Sequence, residues 1–141
     1  MAPMSNTIEI DRPPQEVFAF AADPTHFPEW QRDVVRVDML DEEEFATVRR
    51  VIGAERSMLQ RITANEPPRY WAAEGVDGAI RPHATITVEP LDDGTRSKVT
   101  FTLDFESVGI GAAILPMVRR AAEKGAPTSH RNLKTLLESA P

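Results

Sequence analysis

Residues 109–139 carry one long helical repeat, and no other segment of the chain is long enough to pair with it as a helix. At about 100° per residue, Ile114, Val118, Ala121, Ala122, Gly125, Ser129, Asn132 and Leu136 share one side. Arg119, Arg120, Glu123, Lys124, Arg131, Lys134 and Glu138 fall opposite. The register survives Pro127, so the segment reads as one kinked helix. Pro116 and Pro127 both project outward, where a proline in a bent helix is best tolerated. A stripe of this length has to be covered by something. Upstream lie only two short helical stretches and a series of strands, so a sheet must wrap around the helix.

The upstream order follows from periodicity and turn chemistry. Residues 7–10 (TIEI) read as a strand ending at Asp11. Pro13 and Pro14 suit a helix start, where a missing N–H costs little, and Val17, Phe18 and Ala21 give the helix over 15–22 one buried face. Asp23-Pro24 reads as an N-cap and first helical position, opening a second short helix. From Val34 the period changes to two: Val35, Val37 and Met39 alternate with Arg36 and Asp38. A turn is expected over Asp41 to Glu44, then strands at 45–52, 57–64, 70–74, 82–88 and 97–106, with Gly53 a break and Asp93-Gly94 a hairpin turn. In the last strand Val99, Phe101, Leu103 and Phe105 share one face, and Lys98, Thr100, Thr102 and Asp104 the other. The fold class is α+β: an antiparallel sheet of about seven strands around a C-terminal helix, with two short helices between strands 1 and 2.

With 141 residues the chain suits a single domain spanning 1–141, its ends at 1–5 and 139–141 expected to be flexible. A hydrophobic content of 41% with 27% charged residues argues for a folded core rather than disorder. The net charge of -6 disfavours a nucleic-acid-binding face, which must be basic. No apolar run approaches the roughly 20 residues of a membrane span. The opening MAPMSNTIEI lacks the regions of a signal peptide, and the absence of cysteine removes disulfides, thiolate zinc sites and cysteine nucleophiles. A cytoplasmic protein, monomeric or homodimeric, is expected.

The middle of the helix stripe is made of small residues: Ala121, Ala122, Gly125, Ser129 and Asn132. Two readings are open. Small side chains permit close helix–sheet contact, or they leave a mostly apolar space with a few polar groups, as small-molecule sites usually have.

The opening IEIDRPPQEVFAFAADPTHFPEWQRDV resembles the start of the polyketide cyclase/dehydrase group within the START-like (SRPBCC, helix-grip, birch-pollen-allergen-like) superfamily. ITANEPPRYWAAEG, EPLDDGTRSKVTFTLDF and the terminal NLKTLLES fit the same group in order, so the resemblance covers nearly the whole chain. It implies a helix-grip fold with the short helices at one end of a cavity, where Phe27 and Trp30 are either rim or lining residues or, for Trp30, a plug at the end of the core. Both readings bury the ring and differ in whether a ligand touches it. The expected ligand-binding set is Phe27, Trp30, Gln60, Trp71, Phe101, Leu103, Ile114, Val118, Gly125, Ser129 and Asn132. The ligand implied is a hydrophobic small molecule such as a polyketide, lipid or isoprenoid. The family also holds non-catalytic carriers and sensors of lipids or quinones, and ribosome-associated toxins that act as protein-interaction modules.

Catalytic residues are not assigned by the sequence. His26, His83 and His130 are far apart and have no metal-ligand spacing, and neither a nucleophile elbow nor a glycine-rich phosphate loop is present. No metal and no cofactor are expected. Alternation sends one of Arg49 and Arg50 inward, and one of Tyr70 and Trp71. Gln60 shares a face with Met58 and Ile62, and His83 points outward unless Pro82 introduces a bulge.

Overall fold

A computed structural model describes residues 3–51 and 53–140. The elements in chain order are β1 (Met4–Ile10), α1 (Pro14–Ala21), a 3₁₀ turn (Pro24–His26) running into α2 (Phe27–Trp30), β2 (Val34–Met39), β3 (Glu44–Val51), β4 (Ala54–Glu66), β5 (Tyr70–Gly75), β6 (Ile80–Leu91), β7 (Arg96–Ser107) and α3 (Gly111–Ser139). The seven strands form one antiparallel sheet in the order β1-β7-β6-β5-β4-β3-β2. This is the α+β helix-grip arrangement expected, with α1 and α2 between the first two strands.

Period-two alternation holds where it was strongest. Val99 and Phe101 of β7 are buried beside Ile86 and Val88 of β6, while Thr85 and Thr102 meet on the outer face. Register slips occur between Val34 and Arg36 in β2 and between Ile62 and Ala64 in β4. Such irregularities bend a strand and increase its twist, which an open sheet needs in order to curl around a helix. The β6–β7 hairpin turns at Asp92, Asp93 and Gly94, all with positive φ (50°, 60° and 87°), one residue more than the Asp93-Gly94 pair indicated. β6 pairs with β7 without a break through Pro82, so His83 faces outward between Glu74 and Glu106.

Boundaries differ at several ends. β1 begins at Met4 and α3 reaches Ser139, so Met4, Ser5 and Ser139 belong to regular elements. The expectation of flexible ends at residues 1–2 and 141, and the end of the third strand at Ile52, lie outside the described residues. β4 resumes at Ala54, directly after Gly53 turns with φ 75°.

The main correction concerns the face of α3. It is one helix through Pro116 and Pro127, both exposed, as expected. Its buried residues, however, are Gly111, Val118, Arg119, Ser129, His130, Leu133 and Leu137. Ala121, Asn132, Leu136 and Ile114, assigned to the inner stripe, are exposed, and Arg119, assigned to the solvent side, is buried. The helix is rolled by somewhat less than one residue step of about 100°. Leu133 and Leu137 decide the roll, because they join the core formed with Ile10, Val17 and Phe18. Burying two leucines outweighs whatever the alanines and glycine would gain by facing inward.

Candidate functional site

The short segment before β2 is what places two aromatic rings inside the sheet. The Asp23 carboxylate accepts hydrogen bonds from the Thr25 backbone N–H (3.0 Å) and hydroxyl (2.8 Å), and Pro24 follows at the first helical position. The chain then turns through α2, where Phe27 and Trp30, three residues apart, share the buried side. α3 anchors the end of α2. Ser129 Oγ accepts from the Arg32 backbone N–H at 2.9 Å, and the Asn132 amide donates to the Trp30 carbonyl at 3.4 Å.

Around these rings the inner face of the sheet builds an aromatic wall. Phe27 meets Trp30 and Trp71 edge-on, each at a centroid distance of 5.8 Å, and Phe45 lies 6.3 Å from Trp71. Trp30 packs on Phe101 at 5.8 Å, and His130 stacks on Phe101 at 4.0 Å. Such pairs add to the area they bury.

The polar groups set in this wall are unevenly matched. Thr47 donates its hydroxyl to Gln60 Oε1 at 2.8 Å, which leaves the Gln60 amide N–H groups without an acceptor among the described residues. The Asn6 amide donates to His130 Nδ1, so the imidazole hydrogen sits on Nε2, again with no protein acceptor. The indole Nε1–H groups of Trp30 and Trp71 are buried with no partner. The four side chains are 5%, 8%, 3% and 2% exposed respectively. A buried donor left unsatisfied costs about 1–3 kcal/mol, so two buried indole N–H groups in one wall, beside the unmatched donors of Gln60 and His130, are a feature that asks for a cause. Burial pushes the His130 pKa down to about 4, which keeps the ring neutral near pH 7.

The structure brings Phe27, Trp30, Gln60, Trp71, Phe101 and Ser129 into this wall and its support, with Val118 buried farther along α3 and Leu103 half-buried on β7. Gly125 is half-buried, and a Cβ added there would meet nothing within 4 Å, so the helix does leave open space at that point. Ile114 is not brought in, because the roll of α3 turns it outward, and Asn132, exposed for the same reason, reaches only the Trp30 carbonyl behind the wall. Nor do Trp30 and Phe101 line opposite sides of a void; they touch. Of the alternatives left open, Arg49 and Trp71 are the inward members. Arg49 is held by Asp33 (2.9 Å) and Gln31 (2.6 Å).

Asn6, Phe45 and Thr47 were not singled out by sequence reasoning, and His130 was weighed only for metal-ligand spacing. Phe45 and Thr47 share the parity that places Gln60 inward through the β3–β4 register, and His130 shares its side of the helix with Leu133 and Leu137. Weighing those leucines above the small residues would have found the histidine. A separate surface cleft of about 480 Å³ opens between α1 and the turns after β2 and β4, lined by Phe18, Ala22, Met39, Ile62, Pro67 and Pro68 among others. Among the described residues no group of three histidine or acidic side chains could hold a metal ion.

An antiparallel sheet with one long C-terminal helix and short helices between the first two strands is the START-like, helix-grip fold. The chain belongs within it to the polyketide cyclase/dehydrase and lipid transport family, whose model matches residues 1–138. It is similar in fold to the Zhui aromatase/cyclase from Streptomyces sp. R1128, with a TM-score of 0.83 at 15% identity, over 97% of this chain and 93% of that one. A START superfamily protein from Mycobacterium smegmatis gives a TM-score of 0.80 at 14% identity, over 96% and 97% of the two chains. The di-domain aromatase/cyclase BexL, from the BE-7585A biosynthetic pathway, matches at 21% identity and a TM-score of 0.76, over 98% of this chain but 47% of its own. No curated protein matches the sequence.

Proposed function

We propose that this protein binds an apolar small molecule carrying carbonyl oxygens, of the polyketide or quinone kind, against the inner face of the sheet. The observation that carries this reading is the imbalance of the aromatic wall: Gln60, His130, Trp30 and Trp71 offer N–H groups and the protein offers them no acceptor. A carbonyl-bearing ligand supplies acceptors and no competing donors, and its hydrocarbon body matches Phe27, Phe45 and Phe101. Entry would be from the side of half-buried Gly125 and Leu103, where a Cβ added at Gly125 would meet nothing within 4 Å. The family and the aromatase/cyclase neighbours support this class of ligand.

His130 favours a second, catalytic reading, as a cyclase or dehydrase. A neutral imidazole that donates from Nε2 polarises a carbonyl without bringing a charge into an apolar wall, which is the assistance that enolisation of a polyketone requires. Carrier and cyclase readings share the site and differ in turnover.

The test is a titration of the protein with 9,10-anthraquinone and, in parallel, with anthracene, followed by the two indole Nε1–H resonances. The quinone should bind more tightly and shift at least one of them downfield. Equal affinity for the hydrocarbon with no indole shift would remove the carbonyl from the reading. Native mass spectrometry of the purified protein would identify an apolar ligand carried from the cell.

A further inference from the structure

The N-terminal half of α3 leaves a row of large apolar side chains in water. Ile110 is 85% exposed, Met117 50% and Ile114 38%, and Val108, on the connection from β7, is exposed beside them. Ile110, Ile114, Met117 and Ala121 follow one another at helical spacings of four, three and four residues, which makes one continuous stripe. Single exposed apolar residues are ordinary, but a contiguous row of isoleucines and methionine is the signature of an interaction face.

The charges beside the stripe indicate what it meets. Arg120 and Lys124 border it, and neither has an ion-pair partner among the described residues. Over Gly111–Ser139 the basic residues are Arg119, Arg120, Lys124, Arg131 and Lys134 against Glu123 and Glu138, five minus two, in a chain whose net charge is -6. Positive charge is therefore gathered on the element that carries the apolar stripe. A symmetric pairing of two copies through this face would set like charges against each other. No helix among the described residues is long and apolar enough to cross a bilayer, so contact with one would be at its surface.

We propose that this face of α3 docks the protein on an anionic lipid bilayer. Ile110, Ile114 and Met117 would enter the boundary between headgroups and acyl chains, and Arg120 and Lys124 would meet the lipid phosphates. The docking face stands independently of what the inner wall binds. If both hold, the open side of the helix near Gly125 is presented to the phase in which apolar molecules dissolve.

Sedimentation with vesicles tests the proposal. The protein should pellet with vesicles containing phosphatidylglycerol, remain in solution with phosphatidylcholine alone, and release as salt is raised. Ile110→Ser together with Met117→Ser, and separately Arg120→Glu together with Lys124→Glu, should each weaken partitioning at least about tenfold, with circular dichroism and melting temperature unchanged. The proposal is overturned if the wild type pellets with neither vesicle, if it pellets equally with both, or if either pair of substitutions leaves partitioning intact. It is also overturned if light scattering shows a dimer that the serine variant converts to a monomer.

Discussion

His130 lies flat on Phe101, the ring centroids 4.0 Å apart and the planes 12° from parallel. The stack removes the imidazole from water, and this burial lowers its pKa to about 4 from 6.5. The unfolded chain therefore takes up a proton near pH 6.5 that the folded chain refuses until pH 4. Stability from this group is complete above pH 6.5 and is lost as the pH falls toward 4. The full difference is roughly 3 kcal/mol. His130→Gln should flatten the pH dependence of stability across that window by about this amount, read from urea unfolding at several pH values. Parallel pH profiles for the two proteins would contradict the assignment.

Gly125 and Ser129 lie one helical turn apart and should respond oppositely to added bulk. A Cβ at Gly125 meets open space, so Gly125→Leu should keep or raise the melting temperature, helped by about 1 kcal/mol of helix propensity. Ser129 is buried and its hydroxyl accepts from the Arg32 N–H, so Ser129→Phe should cost about 1–3 kcal/mol. Differential scanning calorimetry on both variants separates the two positions. A large loss for Gly125→Leu would show that the space beside α3 is not open.

Gly111 sets the approach of α3 to the sheet. A Cβ there would stand 2.1 Å from the carbonyl oxygen of Ala79, an atom already accepting from the Val108 N–H at 2.8 Å. Gly111→Ala should therefore destabilise by about 1–3 kcal/mol, although alanine is the better helix former. Faster hydrogen exchange confined to the first turns of α3 and the β5–β6 loop is the expected signature. An unchanged or raised melting temperature would rule the close approach out.

Arg119 reaches from α3 to Asp104 on β7 at 3.1 Å. The Asp104 carboxyl is held below its ordinary pKa first by the Phe105 backbone N–H and then by this guanidinium. Arg119→Met should raise the Asp104 pKa only in part, since the backbone donor remains. Asp104 is partly exposed, so solvent screening limits the stability loss to about 1 kcal/mol. Carboxyl carbon shifts followed by NMR against pH would detect the change. No movement of Asp104 would mean that the pair is not formed in solution.

The strands were legible because their signal is set by backbone geometry. Successive side chains alternate across a sheet whatever surrounds it, so Val99 and Phe101 against Thr100 and Thr102 read correctly from spacing alone. The same parity rule placed Gln60 inward and His83 outward, and reduced each adjacent pair at 49–50 and 70–71 to one inward member. Turn residues with special φ, such as Asp93 and Gly94, marked the last hairpin. The resemblance over nearly the whole chain pointed to the family that the match over residues 1–138 then showed.

The face of α3 was decided only by tertiary packing. Its apolar and small residues cover much of the circumference, so several inward faces are compatible with the spacing, and the choice rests on which side chains find a core to enter. Leu133 and Leu137 find one, and they carry His130 in with them while Ile114 and Asn132 turn out. The donor imbalance of the wall was hidden for the same reason. Thr47 with Gln60 and Asn6 with His130 are pairs made across strands and helix, from residues 13 and 124 positions apart, and sequence periodicity has no term for which donor meets which acceptor.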